Sequence, residues 1–407
     1  MKTGPRRLAA ISAGSRLRAA FAVAVVAAAG LYVAAGARQQ WDFETYYFAG
    51  SAFRSGLNPY SLHDLSRLAG RAVELPFIYP PVTLALFVPL SVLPIAAAAT
   101  VWLGAKCLLL ALLVWIWRRD FLRDVDPALL VATALLGFEM SVLWDLRTGN
   151  VALIEAALLT VALSSYLRHR TALAAYLTAL AGVFKLLPAT LLALILLTPR
   201  PARERAGLVA GGLAFLAAAV SFPIGLAADW RSALIHSPPS ARVMGGVNPS
   251  GLGLADWLLT AAQVPPAAVP YAALAAYLVF VAAVLTGSLE AVRRARAGSR
   301  LEQGMLVVLL WLMVSPRLMV YSFTMAIPPV LFVIQTRIRS EAWRWAAASL
   351  VMVQGVIRLL PGQPPPMLGV ASFLILVAAW ALLVRSPSAP GWRSEAPAAH
   401  SPSPVPR

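Results

Sequence analysis

Long runs of Ala, Leu and Val are the feature that most restricts how this chain can fold. Residues 19–35 and 96–117 are clear examples, and further runs follow along the chain. An apolar run of about 20 residues is long enough to cross a lipid bilayer as a helix. Charged residues make up only 13% of the chain, whereas soluble proteins carry about 25%. The sequence therefore predicts an all-α polytopic membrane protein.

The net charge of +17 does not indicate nucleic-acid binding. Basic residues stand in short clusters between the apolar runs, not in a stripe with interleaved aromatic residues. Lys and Arg accumulate on the cytoplasmic side of membrane proteins, so these clusters indicate topology. They predict a cell-membrane protein with both termini cytoplasmic, whose partners include membrane lipid and no nucleic acid. The clusters are at residues 2–18, 118–123, 168–170, 200–205, 293–300 and 337–344, with the tail from residue 385.

Counting crossings between these clusters divides the chain into three parts. Residues 1–18 are a basic cytoplasmic N-terminus, and residues 19–385 are a bundle of roughly ten to twelve transmembrane helices. Residues 386–407 are rich in Ser, Pro and Ala and are predicted to be a disordered cytoplasmic tail. Large outer loops are predicted at residues 38–78, with a helix, and at residues 229–268. The first apolar run also fits a signal peptide, but the many later spans favour an uncleaved first span.

Helix-breaking residues predict three irregular places in the bundle. Several prolines within residues 79–95 favour an interfacial or re-entrant segment over a regular span. Residues 145–150 are predicted to form an outer turn. Residues 171–199 are mostly apolar and lie between two cytoplasmic clusters, so they predict a tight hairpin with Lys185 and Pro188 near its outer tip.

Two carboxylates follow the first predicted span, where the outer loop begins. Asp42 is predicted to lie at the interface between membrane and water. Partial burial there raises the pKa of a carboxylate unless a nearby cation opposes the shift, and a raised pKa suits a general base. Asp42 fits equally well as the N-cap of a helix predicted over residues 43–54. Glu44 is expected on the solvated face of that helix. Polar residues of this kind gather at the outer face, which is therefore the predicted working face.

Four cations are predicted at outer ends of spans or in outer loops. Arg147, Lys185 and Arg317 suit an anionic group such as a phosphate, although snorkelling to lipid headgroups is the alternative. Arg242 lies in a long loop, where solvent exposure is the better interpretation. The single cysteine, Cys107, lies in an apolar run, and the histidines lack metal-ligand spacing. Neither a metal nor a cofactor is predicted.

Charged residues also fall inside predicted spans. Lys106, Glu139 and Glu155 are costly there unless they are paired, so salt bridges within the bundle are expected. Intramembrane carboxylates and broken helices also suit a substrate path. A transporter or flippase for a lipid-linked or small polar substrate is therefore the alternative function.

Several short motifs occur in a fixed order along the chain. They are Asp42-Phe43-x-x-Tyr46-Tyr47, Gly56-x-x-Pro59-Tyr60, Tyr79-Pro80-Pro81 with Pro89-Leu90, Gly149-Asn150, Lys185-Leu186-x-Pro188, Asn248-x-Ser250 and Ser315-Pro316. Each motif is weak alone, and the ordered set is fairly specific. The set resembles glycosyltransferase family 87, the polyprenyl-phosphate-mannose-dependent mannosyltransferases of the membrane-embedded GT-C type.

The resemblance implies a GT-C bundle that moves a hexose, most simply mannose, from a polyprenyl-phosphate donor to a glycolipid or glycan acceptor at the outer face. Asp42 would deprotonate the acceptor hydroxyl, and the sugar would be transferred with inversion to an α-linked product. Arg147, Lys185 and Arg317 would bind the donor phosphate.

The further substrate-site candidates are Glu44, Tyr46, Tyr79, Asn150 and Tyr321. Family members that mannosylate lipids often carry histidine shortly after the Ser-Pro pair, whereas Arg317 follows it here. The sugar and the acceptor therefore stay open. A non-catalytic scaffold of the same fold is a third hypothesis.

Overall fold

The computed structural model describes residues 13–36, 40–235, 248–294, 300–360 and 367–385. Every regular element in these ranges is helical, which confirms the predicted all-α fold. Arg242 and the predicted disordered tail lie outside the described residues. The α-helices are α1 (Ala13–Gly36), α2 (Trp41–Arg54), α3 (Leu62–Ala69), α4 (Leu84–Phe87), α5 (Ile95–Ile116), α6 (Pro127–Thr148), α7 (Ala152–Leu167), α8 (Thr171–Phe184), α9 (Ala193–Leu196), α10 (Ala202–Ser221), α11 (Ala227–Ile235), α12 (Gly251–Ala261), α13 (Val269–Arg294), α14 (Arg300–Val314), α15 (Ile327–Arg337), α16 (Glu341–Leu359) and α17 (Met367–Arg385).

Six helices in this described part are long and apolar enough to cross a membrane, namely α1, α5, α6, α10, α13 and α17. They support the predicted polytopic membrane protein. Shorter apolar helices, among them α7 and α8, lie between them in the chain. The expected number of roughly ten to twelve crossings counted such short helices as spans, although a full crossing needs about 20 residues. That number therefore stays a prediction.

Helix α6 is central, since most of its residues are buried and it packs against α1, α5 and α16. Its start is fixed by Asp126, whose carboxylate accepts a backbone hydrogen bond at 2.8 Å, and by Pro127 at the first helical position. Its end is fixed by Gly149, which has a left-handed φ of 76° and donates its N–H to the Asp145 carbonyl at 3.0 Å. This cap turns the chain sharply into α7.

A break interrupts α6 halfway along. Residues 138–140 have φ values between 50° and 59°, a left-handed conformation that is costly for residues other than glycine. Gly355 of α16 lies against the break, where any side chain would collide with the carbonyl oxygen of Leu136. The Glu139 carboxylate accepts a hydrogen bond from Arg358 at 3.0 Å. The predicted pairing of this intramembrane acid within the bundle is therefore confirmed.

Basic residues from separate predicted clusters meet at one end of the bundle. Asp120 pairs with Arg119 at 2.7 Å and with Arg168 at 2.8 Å. Arg18 pairs with Asp126 at 2.9 Å. These contacts bring together the clusters at residues 118–123 and 168–170, as the topology requires if both face the same side of the membrane.

The other end of α6 meets the helices of the first predicted outer loop. The Phe43 ring of α2 stacks on Trp102 of α5 with centroids 5.5 Å apart. Residues 79–95 form short helical turns and no long helix, as the prolines predicted. The chain also leaves helical conformation at Lys185, where the tip of the hairpin was expected.

Candidate active site

Asp42 is oriented by an amide from a distant part of the chain. It lies in the first turn of α2, half-buried, and its carboxylate accepts a hydrogen bond from the Asn150 side-chain amide at 2.9 Å. The same amide nitrogen lies 3.2 Å from the Tyr46 hydroxyl. Since the partner is an uncharged amide, the carboxylate is held in place with a smaller loss of basicity than a directly bonded cation would bring.

Asn150 is itself fixed by the sharp turn between α6 and α7. Its side-chain oxygen accepts the N–H of Ala152 at 3.1 Å, and its own N–H is donated to the Thr148 hydroxyl at 3.2 Å. The left-handed Gly149 packs against α2, and a Cβ there would come within 2.6 Å of the Phe43 Cβ. Glycine is therefore required both for the turn and for the close approach of α2.

Tyrosines extend this network away from Asp42. The Tyr46 hydroxyl donates to the Tyr79 hydroxyl at 3.1 Å, and the Tyr60 hydroxyl donates to the Tyr79 carbonyl at 2.8 Å. Burial raises the pKa of both the Tyr46 and the Tyr79 phenols. These phenols remain neutral at physiological pH, so they can serve as hydrogen-bond donors beside the carboxylate.

The surroundings of Asp42 shift its pKa upward. Burial is the largest cause, because it disfavours the charged form, and the negative charge of Asp145 acts in the same direction. The hydrogen bonds from Asn150 and Thr148 and the charge of Lys106 act in the opposite direction but do not reverse the shift. The result is a carboxylate that is more basic than an exposed aspartate.

Two lysine–carboxylate pairs lie in the same neighbourhood. The Lys106 ammonium lies 2.6 Å from the Asp145 carboxylate, and both side chains are fully buried. The Lys185 ammonium lies 3.0 Å from Glu155 and 4.7 Å from the centre of the Tyr321 ring. The pairing expected for Lys106 and Glu155 is thus confirmed, and their partners are Asp145 and Lys185.

The Ser315-Pro316 segment is tied to the Asn248-x-Ser250 motif. The Ser250 hydroxyl donates to the Pro316 carbonyl at 2.8 Å, and Asn248 accepts the N–H of Leu318 at 2.9 Å. Between these anchors Arg317 is exposed, within electrostatic range of the Tyr321 hydroxyl. The two motifs therefore position a cation and a tyrosine near Lys185.

A model of glycosyltransferase family 87 matches residues 77–316, more than half of the chain. The chain belongs to glycosyltransferase family 87. No curated protein compared with the chain matches it. Asp42 precedes the matched residues, and the structure joins it to them through Asn150. The family membership confirms the predicted glycosyltransferase activity at the level of the family.

The family assignment and the ion pairs together account for the intramembrane carboxylates. Glu139 is paired with Arg358 and Glu155 with Lys185. Paired charges of this kind are the expected way to hold an ionised group inside a bundle. The features that suggested a transporter are therefore explained by packing within a glycosyltransferase.

The interpretation of Asp42 as an N-cap is wrong. Helix α2 begins two residues earlier than predicted, its N-cap residue is Gln40, and Asp42 lies inside the first turn. Its carboxylate is turned sideways to Asn150 and does not return to the backbone of its own helix. The tertiary contact with the α6–α7 turn overrides the local preference of aspartate for capping.

The remaining candidates lie in different surroundings. Arg147 packs on α1, with its guanidinium 4.9 Å from the centre of the Tyr32 ring. Glu44 forms an ion pair with the exposed Arg71, and 22% of the Glu44 side chain is exposed, so it is less solvated than predicted. Among the described residues no three His, Cys, Asp or Glu side chains are grouped as metal ligands.

Asp145 is the residue near the site whose role the sequence did not reveal. It looked like part of an outer turn, yet it is fully buried and holds Lys106. The two residues are 39 positions apart on different helices, so no local spacing indicates the pair. The only available signal was a lysine inside an apolar run, which demands some acidic partner.

Proposed function

We propose that this protein transfers a hexose, most simply mannose, from a polyprenyl-phosphate donor to an acceptor hydroxyl at the outer face of the cell membrane. The observation that carries the proposal is the Asp42 carboxylate, oriented by Asn150 at 2.9 Å and kept basic by burial. A general base of this kind is what an acceptor hydroxyl requires. A bundle of the GT-C type with both termini cytoplasmic is the architecture that belongs with this proposal.

The proposed reaction is a single displacement. The Asp42 carboxylate takes the proton of the acceptor hydroxyl as its oxygen attacks the anomeric carbon of the donor sugar. The bond from that carbon to the phosphate oxygen breaks, and the polyprenyl phosphate leaves with the bonding electrons. Attack opposite the leaving group inverts the anomeric centre, so a β-linked donor gives an α-linked product.

The leaving phosphate needs cations that can face a ligand. Lys185 is 27% exposed and lies against Tyr321, and the exposed Arg317 is within electrostatic range of the same tyrosine. A positive charge aimed at the leaving phosphate stabilises the negative charge that develops as the bond breaks. This arrangement supports Lys185 and Arg317 as phosphate ligands over Arg147, which packs on α1.

The direct test is Asp42→Asn, which keeps the shape and the hydrogen bond to Asn150 but removes the base. We expect transfer from a polyprenyl-phosphate sugar to fall by about 10²- to 10⁴-fold, the usual contribution of a general base. The matched control is Asp64→Asn in the same loop, where the carboxylate pairs with Arg67, and it should keep its activity.

The assay uses the purified full chain in lipid nanodiscs with polyprenyl-phospho-mannose and polyprenyl-phospho-glucose, and product is counted from a labelled sugar. Full activity in Asp42→Asn would refute the assignment of the base. Failure of the unaltered protein to use any polyprenyl-phosphate sugar with any acceptor tried would refute the donor class.

A further inference from the structure

A cleft of about 510 Å³ lies beside α2 and has no role in the site described above. Trp41, Glu44 and Thr45 of α2 form one wall, and residues 71–75 form the other. We call it the α2 cleft. A volume of this size suits a small organic ligand.

The α2 cleft adjoins Asp42 because one helix carries both. Trp41, Glu44 and Thr45 are spaced i, i+3 and i+4, so they share one face of α2. Asp42 lies one residue after Trp41, about 100° further round the helix. A ligand in the cleft therefore lies alongside the helical turn from which the carboxylate projects.

The walls combine an aromatic surface with charged hydrogen-bonding groups. Trp41 is 38% exposed, and its ring is held edge-on against Trp144 with centroids 5.7 Å apart. Glu44 and Arg71 form an ion pair at the rim, and Glu74 stands nearby in the same lining. A fixed indole offers an apolar face, and adjacent acceptors and donors match neighbouring hydroxyl groups.

The charges of the lining discriminate between ligand classes. Two carboxylates, Glu44 and Glu74, face one cation, Arg71. This excess of negative charge disfavours a phosphate group, whereas it allows a neutral polyol. Arg71 is 63% exposed, and an exposed ion pair contributes little to the stability of the fold.

We propose that the α2 cleft binds a neutral carbohydrate unit of the acceptor and presents its hydroxyl to Asp42. The proposal rests on the function proposed above and deepens it, because it makes the acceptor a glycan or glycolipid with an uncharged sugar beside the reacting hydroxyl. The donor phosphate belongs near Lys185 and Tyr321, which are not part of the cleft lining, so the α2 cleft is left for the acceptor.

Binding is measured without donor, so that it does not depend on turnover. The full chain in nanodiscs is titrated with methyl α-mannobioside and methyl maltoside, and separately with mannose 6-phosphate, by saturation-transfer NMR. We expect a neutral glycoside to bind the unaltered protein more tightly than the phosphorylated sugar. Arg71→Ala should weaken that binding by about tenfold, the equivalent of one hydrogen bond to a charged group. Trp41→Ala should weaken it as well, because it removes the aromatic surface against which the sugar packs.

The matched control is Arg67→Ala, which removes a similarly exposed arginine of the same loop that pairs with Asp64 outside the cleft. It should bind as the unaltered protein does. Trp41→Ala also removes the contact with Trp144 and can therefore act through the packing of α2. Glu74→Gln is added as a second cleft variant that changes only a surface side chain. Equal affinity in Arg67→Ala and in all the cleft variants, no binding of either neutral glycoside, or tighter binding of mannose 6-phosphate would each overturn the proposal.

Kinetics separate this proposal from the proposed function. Arg71→Ala should raise KM for a glycan acceptor and leave KM for the donor unchanged. Asp42→Asn should still bind the neutral glycoside although it no longer transfers sugar. Retained transfer in Asp42→Asn would refute the assignment of Asp42 as the base but would not affect the proposed role of the cleft. An unchanged acceptor KM in Arg71→Ala would refute the role of the cleft but would not affect the assignment of the base.

Discussion

The two lysine–carboxylate pairs near Asp42 differ in how far their side chains reach the protein surface. Lys106 and Asp145 are both fully buried and lie 2.6 Å apart. Lys185 and Glu155 lie 3.0 Å apart, but 27% of Lys185 remains exposed and its ammonium faces Tyr321. The closed pair lies wholly inside the protein, whereas the open pair has a lysine whose side chain reaches the surface, with its ammonium nitrogen buried beside Tyr321.

The contrast shows that the same residue types serve different purposes in one bundle. A fully enclosed pair must be kept together because either charge alone would be stranded in an apolar interior. A lysine whose side chain reaches the surface can turn its ammonium and exchange part of its interaction with a protein carboxylate for one with a phosphate. Exposure, and not charge, therefore distinguishes the structural pair from the candidate phosphate ligand.

The closed pair is the place where the largest effect is expected. Lys106→Met leaves Asp145 charged and buried, which should lower the free energy of unfolding by about 3–5 kcal/mol. Removing both charges in Lys106→Met/Asp145→Leu should restore most of the loss, since a buried pair can often be replaced by apolar side chains. Thermal unfolding of the purified proteins in detergent measures both changes.

Lys185→Met is the control for that experiment, since the Lys185 side chain is 27% exposed whereas that of Lys106 is fully buried. It should shift the melting temperature much less than Lys106→Met does. Equal destabilisation by the two variants would mean that the two pairs do not differ in the way that their exposure indicates.

The open pair should affect catalysis more than stability. Lys185→Gln should lower kcat/KM for the donor by about 10- to 100-fold, as expected for the loss of a hydrogen bond to a charged group. Glu155→Gln should retain activity, because it removes the competitor of the phosphate and leaves Lys185 in place. Steady-state kinetics with varied donor, and Arg147→Gln as a comparison, measure the difference.

An unchanged kcat/KM for the donor in Lys185→Gln would show that Lys185 does not bind the donor phosphate, and the open and closed pairs would then not differ in function. Loss of function in Glu155→Gln together with normal transfer in Asp42→Asn would instead favour a substrate path through the bundle.

The smallest effect concerns the pH dependence of Asp42 itself. The base must be ionised, so activity falls as the pH drops through its pKa, which burial raises above the usual value. The hydrogen bond from Asn150 lowers that pKa, so Asn150→Ala should raise it further and move the acidic limb of the pH–rate profile to higher pH. The position of the acidic limb is determined from kcat/KM measured in a series of buffers of different pH.

Tyr79→Phe is the matched control for the pH profile, because the Tyr79 hydroxyl bonds to Tyr46 and not to the carboxylate. It should leave the acidic limb in place. A limb that stays fixed in Asn150→Ala would mean that a group other than Asp42 governs it.

Much of the architecture could be predicted from the sequence, because hydropathy and helix breakers act locally. Six long apolar helices, the irregular segment at residues 79–95 and the turn at Gly149-Asn150 could all be recognised along the sequence. The cost of a lone charge in an apolar interior also required partners for Lys106, Glu139 and Glu155. These features depend on composition over a few turns of helix and not on how the helices are arranged.

The partners themselves were decided only by tertiary structure. Asp42 meets Asn150 across 108 residues, and the contact replaces the cap that local preference predicted. Lys106 meets Asp145, which looked like a turn residue, and Lys185 stays half-open although its chemistry is the same. Rotation and packing of whole helices determine which side chains face one another, and no pattern along a single helix contains that information.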